Sequence, residues 1–180
     1  MSRLPLIQPE NATGAAADLL ATVQKALGVT PNMAKAMANS PAVLAAYLEF
    51  SGALAGGELP AAVRERIALL VAQENECDYC LSAHSYIATN LAGLTAAEAH
   101  SARHGQAADP HVEAALTFAA TVVRTRGDID DAGLEAAREA GLSDGEIAEV
   151  VGHVALNVFT NYFNKTAETD IDWPLVSHNR

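Results

Sequence analysis

Hydrophobic residues recur every three to four positions along most of this chain, and glycine or proline separates one such segment from the next. That spacing places side chains on one face of an α-helix. No segment shows the convincing alternation of apolar and polar residues that is typical of a β-strand. The sequence therefore predicts an all-α fold, a helical bundle. The predicted helices lie at 14–27, from 41 to the glycines at 56 and 57, from 60 to a break at Asn75, from Asn75 to 91, from 95 onward, at 110–127, at 130–140 and at 144–163.

Two segments, residues 67–72 and 150–156, are almost wholly apolar. A helix with this composition is buried on every side rather than on one face. His153 lies inside the second segment, so we expect a buried histidine that is either satisfied within the core or part of an active-site wall. Hydrophobic surface on this scale is more than one layer of short helices covers, and it predicts a homo-oligomer of three or six chains.

Length and composition suggest how the chain is organised. At 180 residues it is long enough for a substantial core, and we expect residues 1–180 to form a single domain. Residues 1–12 are predicted to form an extended arm. Residues 166–180 are predicted to form an irregular tail that docks on the domain, because Trp173 would otherwise be exposed. Half of the residues are hydrophobic but only 5% are aromatic, which favours helices packed closely through small side chains.

Charge limits the partners that this chain can bind. Its net charge of −11 leaves no basic surface for phosphates, so nucleic acid and anionic membranes are not expected partners. No apolar run reaches the roughly 20 residues that cross a bilayer. We therefore expect a cytoplasmic protein. In that compartment an isolated cysteine pair is typical of a catalytic or metal-binding site rather than a structural disulfide.

The only two cysteines of the chain form the motif Cys77-x-x-Cys80, and His84 follows one helical turn later. On a helix that begins after Asn75, these three side chains share the inward face, and Leu91 continues the same stripe. Cys77 would lie in the first turn, where the helix dipole favours an anion. The spacing indicates redox chemistry between the two thiols, with a thiolate at Cys80 made by proton transfer to His84.

Glu65 is the candidate group that orients this histidine. On one straight helix Glu65 would lie about 18 Å from Cys77, which is out of reach. A sharp turn at Asn75 would instead fold the chain into an antiparallel helical hairpin, with Glu65 ten residues before the turn and His84 nine residues after it. The two side chains would then face each other, and the carboxylate could stabilise the charged imidazole.

Other interpretations of the same residues exist. The cysteines could be two small buried hydrophobic residues. They could also bind zinc together with His84 and a fourth ligand, although no second ligand pair follows them. His100 and His104 form another pair at helical spacing, and without a third ligand in register we expect them at the surface.

The full pattern, from Glu65 through Cys77 and Cys80 to His84, resembles the active-site motif of the alkylhydroperoxidase D-like branch of the carboxymuconolactone decarboxylase superfamily. The flanking residues 64–72 and 77–84 resemble that branch too, and the best-matching stretch is about residues 41–125. The segment 159–164 is similar to the end of peroxidase-related members. One residue departs from the founding type, which carries a histidine where this chain has Tyr79, and a phenol is a poor base near neutral pH.

The resemblance implies an all-helical protomer that assembles into trimers or hexamers and acts as a thiol peroxidase without a cofactor or a metal. It implies that Cys80 is the peroxidatic cysteine, that Cys77 is the resolving cysteine, and that His84 and Glu65 form the proton relay. The implied substrates are a small hydroperoxide and a dithiol reductant, such as dihydrolipoamide or a thioredoxin-like protein. Two alternatives stay open: lyase chemistry on a lactone, as in the decarboxylase branch, and a non-catalytic redox-sensing oligomer.

Overall fold

The computed structural model describes residues 1–179, which form nine α-helices and one 3₁₀ turn (Pro9–Asn11) but no β-strand. The predicted all-α fold is confirmed. The helices are α1 (Gly14–Leu27), α2 (Asn32–Met37), α3 (Pro41–Ala55), α4 (Ala61–Glu74), α5 (Asp78–Asn90), α6 (Ala96–Arg103), α7 (Pro110–Thr125), α8 (Asp131–Glu139) and α9 (Asp144–Ala167).

Helix α4 lies at the centre of the larger hydrophobic core and packs against α5, α6, α7 and α9. Its residues 67–72 are all at most 2% exposed, as their uniformly apolar sequence predicts. A smaller core joins α1, α2 and α3 around Leu20, Met37 and Leu44. Burial of these apolar side chains supplies the main driving force for folding. Within residues 1–179, no helix is long and apolar enough to cross a membrane.

The turn between α4 and α5 forms the predicted helical hairpin, but its capping residues differ from the prediction. Asn75 ends α4 instead of beginning α5, and Glu76 follows it in the left-handed conformation with φ of 54°. The Cys77 N–H donates to the Ala72 carbonyl at 2.9 Å and the Glu76 N–H to the Gln73 carbonyl at 3.1 Å, a Schellman ending. Cys77 is therefore the N-cap of α5, and its sulfur accepts from the Cys80 N–H at 3.4 Å.

Several other boundaries bear on the sequence predictions. The capping boxes at the starts of α6 and α9 are present, built by Thr95 with Glu98 and by Ser143 with Glu146. Helix α9 continues four residues beyond the predicted end at 163, so the tail begins after Ala167. The six-residue helix α2 was not predicted, because it is too short to show a period. We also expected Leu91 on the inward face of α5, and this was wrong: Leu91 is 69% exposed.

The segment after α9 packs back onto α5 of the same chain. The Asp172 carboxylate accepts from the Tyr79 hydroxyl at 2.9 Å, and the Trp173 ring lies 5.4 Å from that of Tyr86. Further along, the Ser82 hydroxyl accepts from the Val176 N–H at 2.9 Å. This segment therefore covers one side of the helix that carries the thiols.

Candidate active site

A cavity of about 230 Å³ opens between α3, α4, α5, α9 and the tail. Its apolar wall contains Met33, Ile87, Leu156 and Trp173, together with alanines from α3, α4 and α5. Its polar wall contains side chains that can ionise or form hydrogen bonds, which are Tyr47, Arg64, Glu65, Cys80, His84, His153, Asn157, Thr160 and Asn164. The cavity is large enough for a small organic molecule and combines apolar walls with a few polar groups, as ligand sites do.

The two thiols lie at one end of this cavity. Their sulfur atoms are 2.7 Å apart, and each cysteine is only 2% exposed. Both are free cysteines in this structure. Cys80 lines the cavity, whereas Cys77 lies behind it at the start of α5. A small molecule in the cavity therefore meets Cys80 first, and Cys77 is close enough to attack any sulfur adduct that forms there.

The two thiols differ in acidity. The contact with the Cys80 thiol, together with the Cys80 N–H and the nearby His84, lowers the pKa of Cys77, although burial opposes a charge there. Burial, followed by the interaction with Cys77, raises the pKa of Cys80 well above its usual value. Cys77 is therefore the more acidic of the two thiols, and its position at the N-cap of α5 favours a negative charge there.

The predicted contact between Glu65 and His84 is present. The Glu65 Oε2 atom lies 2.8 Å from the Nδ1 atom of His84, and both side chains are largely buried, at 18% and 23% exposed. Burial disfavours a charged imidazole, but the Glu65 carboxylate outweighs it, so the pKa of His84 is raised. Among residues 1–179 no direct hydrogen bond joins His84 to Cys80, so a proton passing between them needs a water or the substrate as a bridge.

Two asparagines of α9 complete the surroundings of Cys80, and the sequence analysis missed their role. The Asn164 Nδ2 atom lies 3.4 Å from the Cys80 sulfur. Asn161 is fully buried; its Oδ1 accepts from Asn75 at 3.0 Å, and its own Nδ2 has no partner in the described chain. The amide of Asn164, followed by that of Asn161, lowers the pKa of Cys80 and opposes the effect of burial, although only Asn164 lies within hydrogen-bonding distance of the sulfur. An amide N–H at this position can donate to a negative charge on that sulfur.

Two tyrosines near the thiols have different roles. The Tyr79 hydroxyl accepts from the Met33 N–H at 3.0 Å and donates to Asp172, so it fixes α2 and the tail to α5. Burial raises its pKa, and it has no role as a base. Tyr47 faces the cavity, where burial and then Glu65 and Cys80 raise its pKa to about 12. The Tyr47 phenol therefore stays protonated at neutral pH and can donate a hydrogen bond into the cavity.

The three other histidines discussed above lie where the sequence predicted. His153 is 5% exposed and forms part of the cavity wall. His100 and His104 are exposed, with their rings 5.2 Å apart. In the described part of the chain, no three His, Cys, Asp or Glu side chains are grouped closely enough to hold a metal ion.

Comparisons with known proteins agree with this geometry. Residues 41–124 match the carboxymuconolactone decarboxylase family. An uncharacterized peroxidase-related protein with an alkylhydroperoxidase AhpD core from Ralstonia eutropha JMP134 is 24% identical, with a TM-score of 0.85 over 95% of this chain and 92% of that one. A peroxidase-related protein from Silicibacter sp. TM1040 is 26% identical, with a TM-score of 0.79 over 94% and 91%.

A third similar structure has a different name. The debrominase Bmp8, solved in complex with 2,3,4-tribromopyrrole, is 20% identical, with a TM-score of 0.75 over 96% of this chain and 94% of that one. No curated protein matches the sequence. The chain is therefore similar to the carboxymuconolactone decarboxylase family over residues 41–124, and its fold is that of the alkylhydroperoxidase AhpD core.

Proposed function

We propose that this protein is a thiol peroxidase that reduces small hydroperoxides through a cycle between the Cys77/Cys80 dithiol and its disulfide. One observation carries the proposal: two thiols 2.7 Å apart, of which Cys80 lines a mainly apolar cavity beside the Glu65–His84 pair. Neither acid–base chemistry on a lactone nor simple ligand binding requires a second sulfur at that distance. A disulfide-forming cycle does.

The first step makes the nucleophile. A proton moves from Cys80 to the Cys77 thiolate across their 2.7 Å contact, which leaves the negative charge on the sulfur that faces the cavity. The amides of Asn161 and Asn164 stabilise that charge. The thiolate is the reactive form of cysteine, so the fraction of time that the charge spends on Cys80 sets the rate of attack.

The second step breaks the peroxide. The Cys80 thiolate attacks the terminal oxygen of the hydroperoxide, the O–O bond breaks, and Cys80 becomes a sulfenic acid while an alkoxide leaves. Glu65 favours the protonated form of His84, which can give its proton to the alkoxide, so that the leaving group departs as an alcohol.

The third step closes the disulfide and resets the site. Cys77 gives up its proton to His84 and attacks the sulfenic sulfur of Cys80; an S–S bond forms, and hydroxide leaves and is protonated to water. A dithiol such as dihydrolipoamide, or a thioredoxin-like protein, then reduces the disulfide and is itself oxidised. The net reaction converts one hydroperoxide and one dithiol to an alcohol, water and an oxidised dithiol.

Steady-state turnover tests the proposal. The purified protein is supplied with tert-butyl hydroperoxide and dihydrolipoamide, and the alcohol and the oxidised dithiol are both measured. We expect equal amounts of the two products, and no sustained turnover in Cys77→Ser or Cys80→Ser. Thiols that oxidise once and never turn over would instead identify a redox sensor.

Other activities of this fold give distinct results in the same experiment. Conversion of a lactone that survives in Cys77→Ser would identify lyase chemistry. Release of bromide from a brominated aromatic compound, without reduction of hydroperoxide, would identify an activity like that named for the debrominase. Assembly into three or six chains is part of our proposal, and it is supported by exposed apolar side chains on α9, namely Val151, Phe159 and Tyr162.

A further inference from the structure

His153 is a buried polar residue for which the proposed chemistry has no use. It is 5% exposed, and its Nε2 atom is fully enclosed with no hydrogen-bond partner in the described chain. An enclosed ring nitrogen without a partner is costly to bury, so such groups normally have a ligand, a water or a functional role. Because His153 lines the cavity, a rotation of its ring would present this nitrogen to a molecule that enters there.

Arg64 lines the same region of the cavity. Its Nη1 atom donates to the carbonyls of Leu59 at 2.7 Å and Ala55 at 3.3 Å, which fixes the side chain in place. Its Nε and Nη2 donors have no partner among the described residues. Two free donors on a fixed guanidinium suit a group that accepts two hydrogen bonds, and a carboxylate has that shape.

The acidic side chains near Arg64 form hydrogen bonds with other groups. Glu65 is paired with His84 at 2.8 Å, and Glu149 accepts from the backbone N–H groups of Glu58 at 2.6 Å and Leu59 at 2.9 Å. The positive charge of Arg64 is therefore not neutralised by a direct ion pair in the described chain. Burial and then Arg64 lower the pKa of His153, which keeps its ring neutral and available as a hydrogen-bonding group.

The cavity therefore has two chemically different ends. On α9, His153 and Asn164 are eleven residues apart, which corresponds to about 16 Å along the helix axis. Asn164 contacts Cys80 at one end, and His153 lies near Arg64 at the other. Leu156 and Ile87 line the space between them.

We propose that Arg64 and His153 form a subsite for the carboxylate of a small organic substrate, whose apolar body lies between that subsite and Cys80. The inference rests on the proposed function for the identity of the reacting group, a hydroperoxide, but the subsite itself can be tested without any reaction. It selects hydroperoxides of small aromatic or aliphatic acids over neutral hydroperoxides of the same size.

Trp173 allows a direct binding test, because it is the only tryptophan of the chain and it lines the cavity. Benzoate and the neutral benzamide are titrated into the protein while its tryptophan fluorescence is followed. We expect benzoate to bind about 10-fold or more tightly than benzamide, since hydrogen bonds to a charged group are worth about 1.5–3 kcal/mol. His153→Leu and Arg64→Met should both remove this preference, and His104→Gln, at the surface, should keep it.

Steady-state kinetics distinguish carboxylate binding at the subsite from the reduction of the peroxide. With His153→Leu, the KM for a hydroperoxide that carries a carboxylate should rise about 10-fold or more relative to the KM of the same variant for tert-butyl hydroperoxide. Equal binding of benzoate and benzamide to the wild-type protein would overturn the subsite, even if hydroperoxides are reduced. Selective binding of benzoate without any peroxidase activity would support the subsite and overturn the proposed reaction. Denaturation curves of both variants confirm that they are folded.

Discussion

Helices α4 and α9 pack against each other in the core, yet they differ in the side chains that they bury. Every buried residue of α4 is apolar. The buried residues of α9 include five polar ones, which are His153, Asn157, Thr160, Asn161 and Asn164. A buried polar group costs free energy unless it is bonded, and three of these five have an atom without a partner in the described chain. Helix α4 therefore stabilises the fold, whereas the buried polar side chains of α9 lower its stability and line the site.

The largest expected effect is on stability and comes from α4. Leu70 is fully buried, so Leu70→Ala should lower the free energy of unfolding by about 2–5 kcal/mol through the lost contacts and the cavity left behind. Leu91→Ala is the matched control, because Leu91 is 69% exposed and its loss should cost less than about 0.5 kcal/mol. Urea denaturation measures both variants, and similar losses in the two would contradict the central position of α4.

Glu65 is the exception on α4, and its replacement should affect the reaction more than the fold. Glu65→Gln keeps the shape and removes the charge that holds His84 protonated, so hydroperoxide reduction should slow about 10²-fold. Glu74→Gln on the same helix is the control and should retain activity. Combining Glu65→Gln with His84→Ala should cost less than the sum of the two single effects, because the pair acts as a unit. Additive losses would argue against the relay.

A smaller effect is expected from the polar face of α9. Asn164→Leu removes a donor to the Cys80 sulfur, and it also removes an amide oxygen that has no partner in the described chain. The fraction of reactive thiolate should therefore fall about tenfold, while the stability stays equal or rises. Thiolate absorbance against pH, together with urea denaturation, measures both quantities. A clear loss of stability would show that Asn164 supports the fold. Asn90→Leu, at an exposed asparagine, is the control.

The smallest effect is the dependence of stability on pH. Because the pKa of His84 is raised in the folded protein, its charged form stabilises the fold at pH values below about 6.5, the ordinary pKa of histidine. This contribution disappears as the pH rises through the higher folded value. The stability of the wild-type protein relative to Glu65→Gln should therefore decrease with increasing pH over that range. A difference that grows with pH would mean that the pair does not stabilise charged His84.

The comparison of α4 with α9 also shows what the sequence could and could not reveal. The contact between Glu65 and His84 was predictable. In a hairpin that turns near Asn75, residues at nearly the same distance before and after the turn meet each other. The lowered pKa of Cys77 was not predictable, because it depends on which residue caps α5. Two residues, Asn75 and Glu76, are used to end α4, and this moves the N-cap of the next helix onto Cys77.

The asparagines of α9 could not have been identified from the sequence in the same way. A polar residue in an apolar helix is equally consistent with a solvent-facing position, and only the packing shows that Asn161 and Asn164 point inward toward Cys80. The pattern gave a buried His153 because apolar residues surround it on both sides in sequence. It could not show that the Nε2 atom lacks a partner, since that depends on helices distant along the chain.

The central claim is that Cys80 attacks the peroxide although Cys77 has the lower pKa, because only Cys80 faces the cavity. Mass spectrometry after mixing each reduced Cys→Ser variant with one equivalent of hydroperoxide tests this most directly. We predict that Cys77→Ser gains one oxygen atom at Cys80 and releases one equivalent of alcohol, whereas Cys80→Ser reacts far more slowly. Rapid oxidation of Cys77 in Cys80→Ser, with Cys77→Ser inert, would contradict the account.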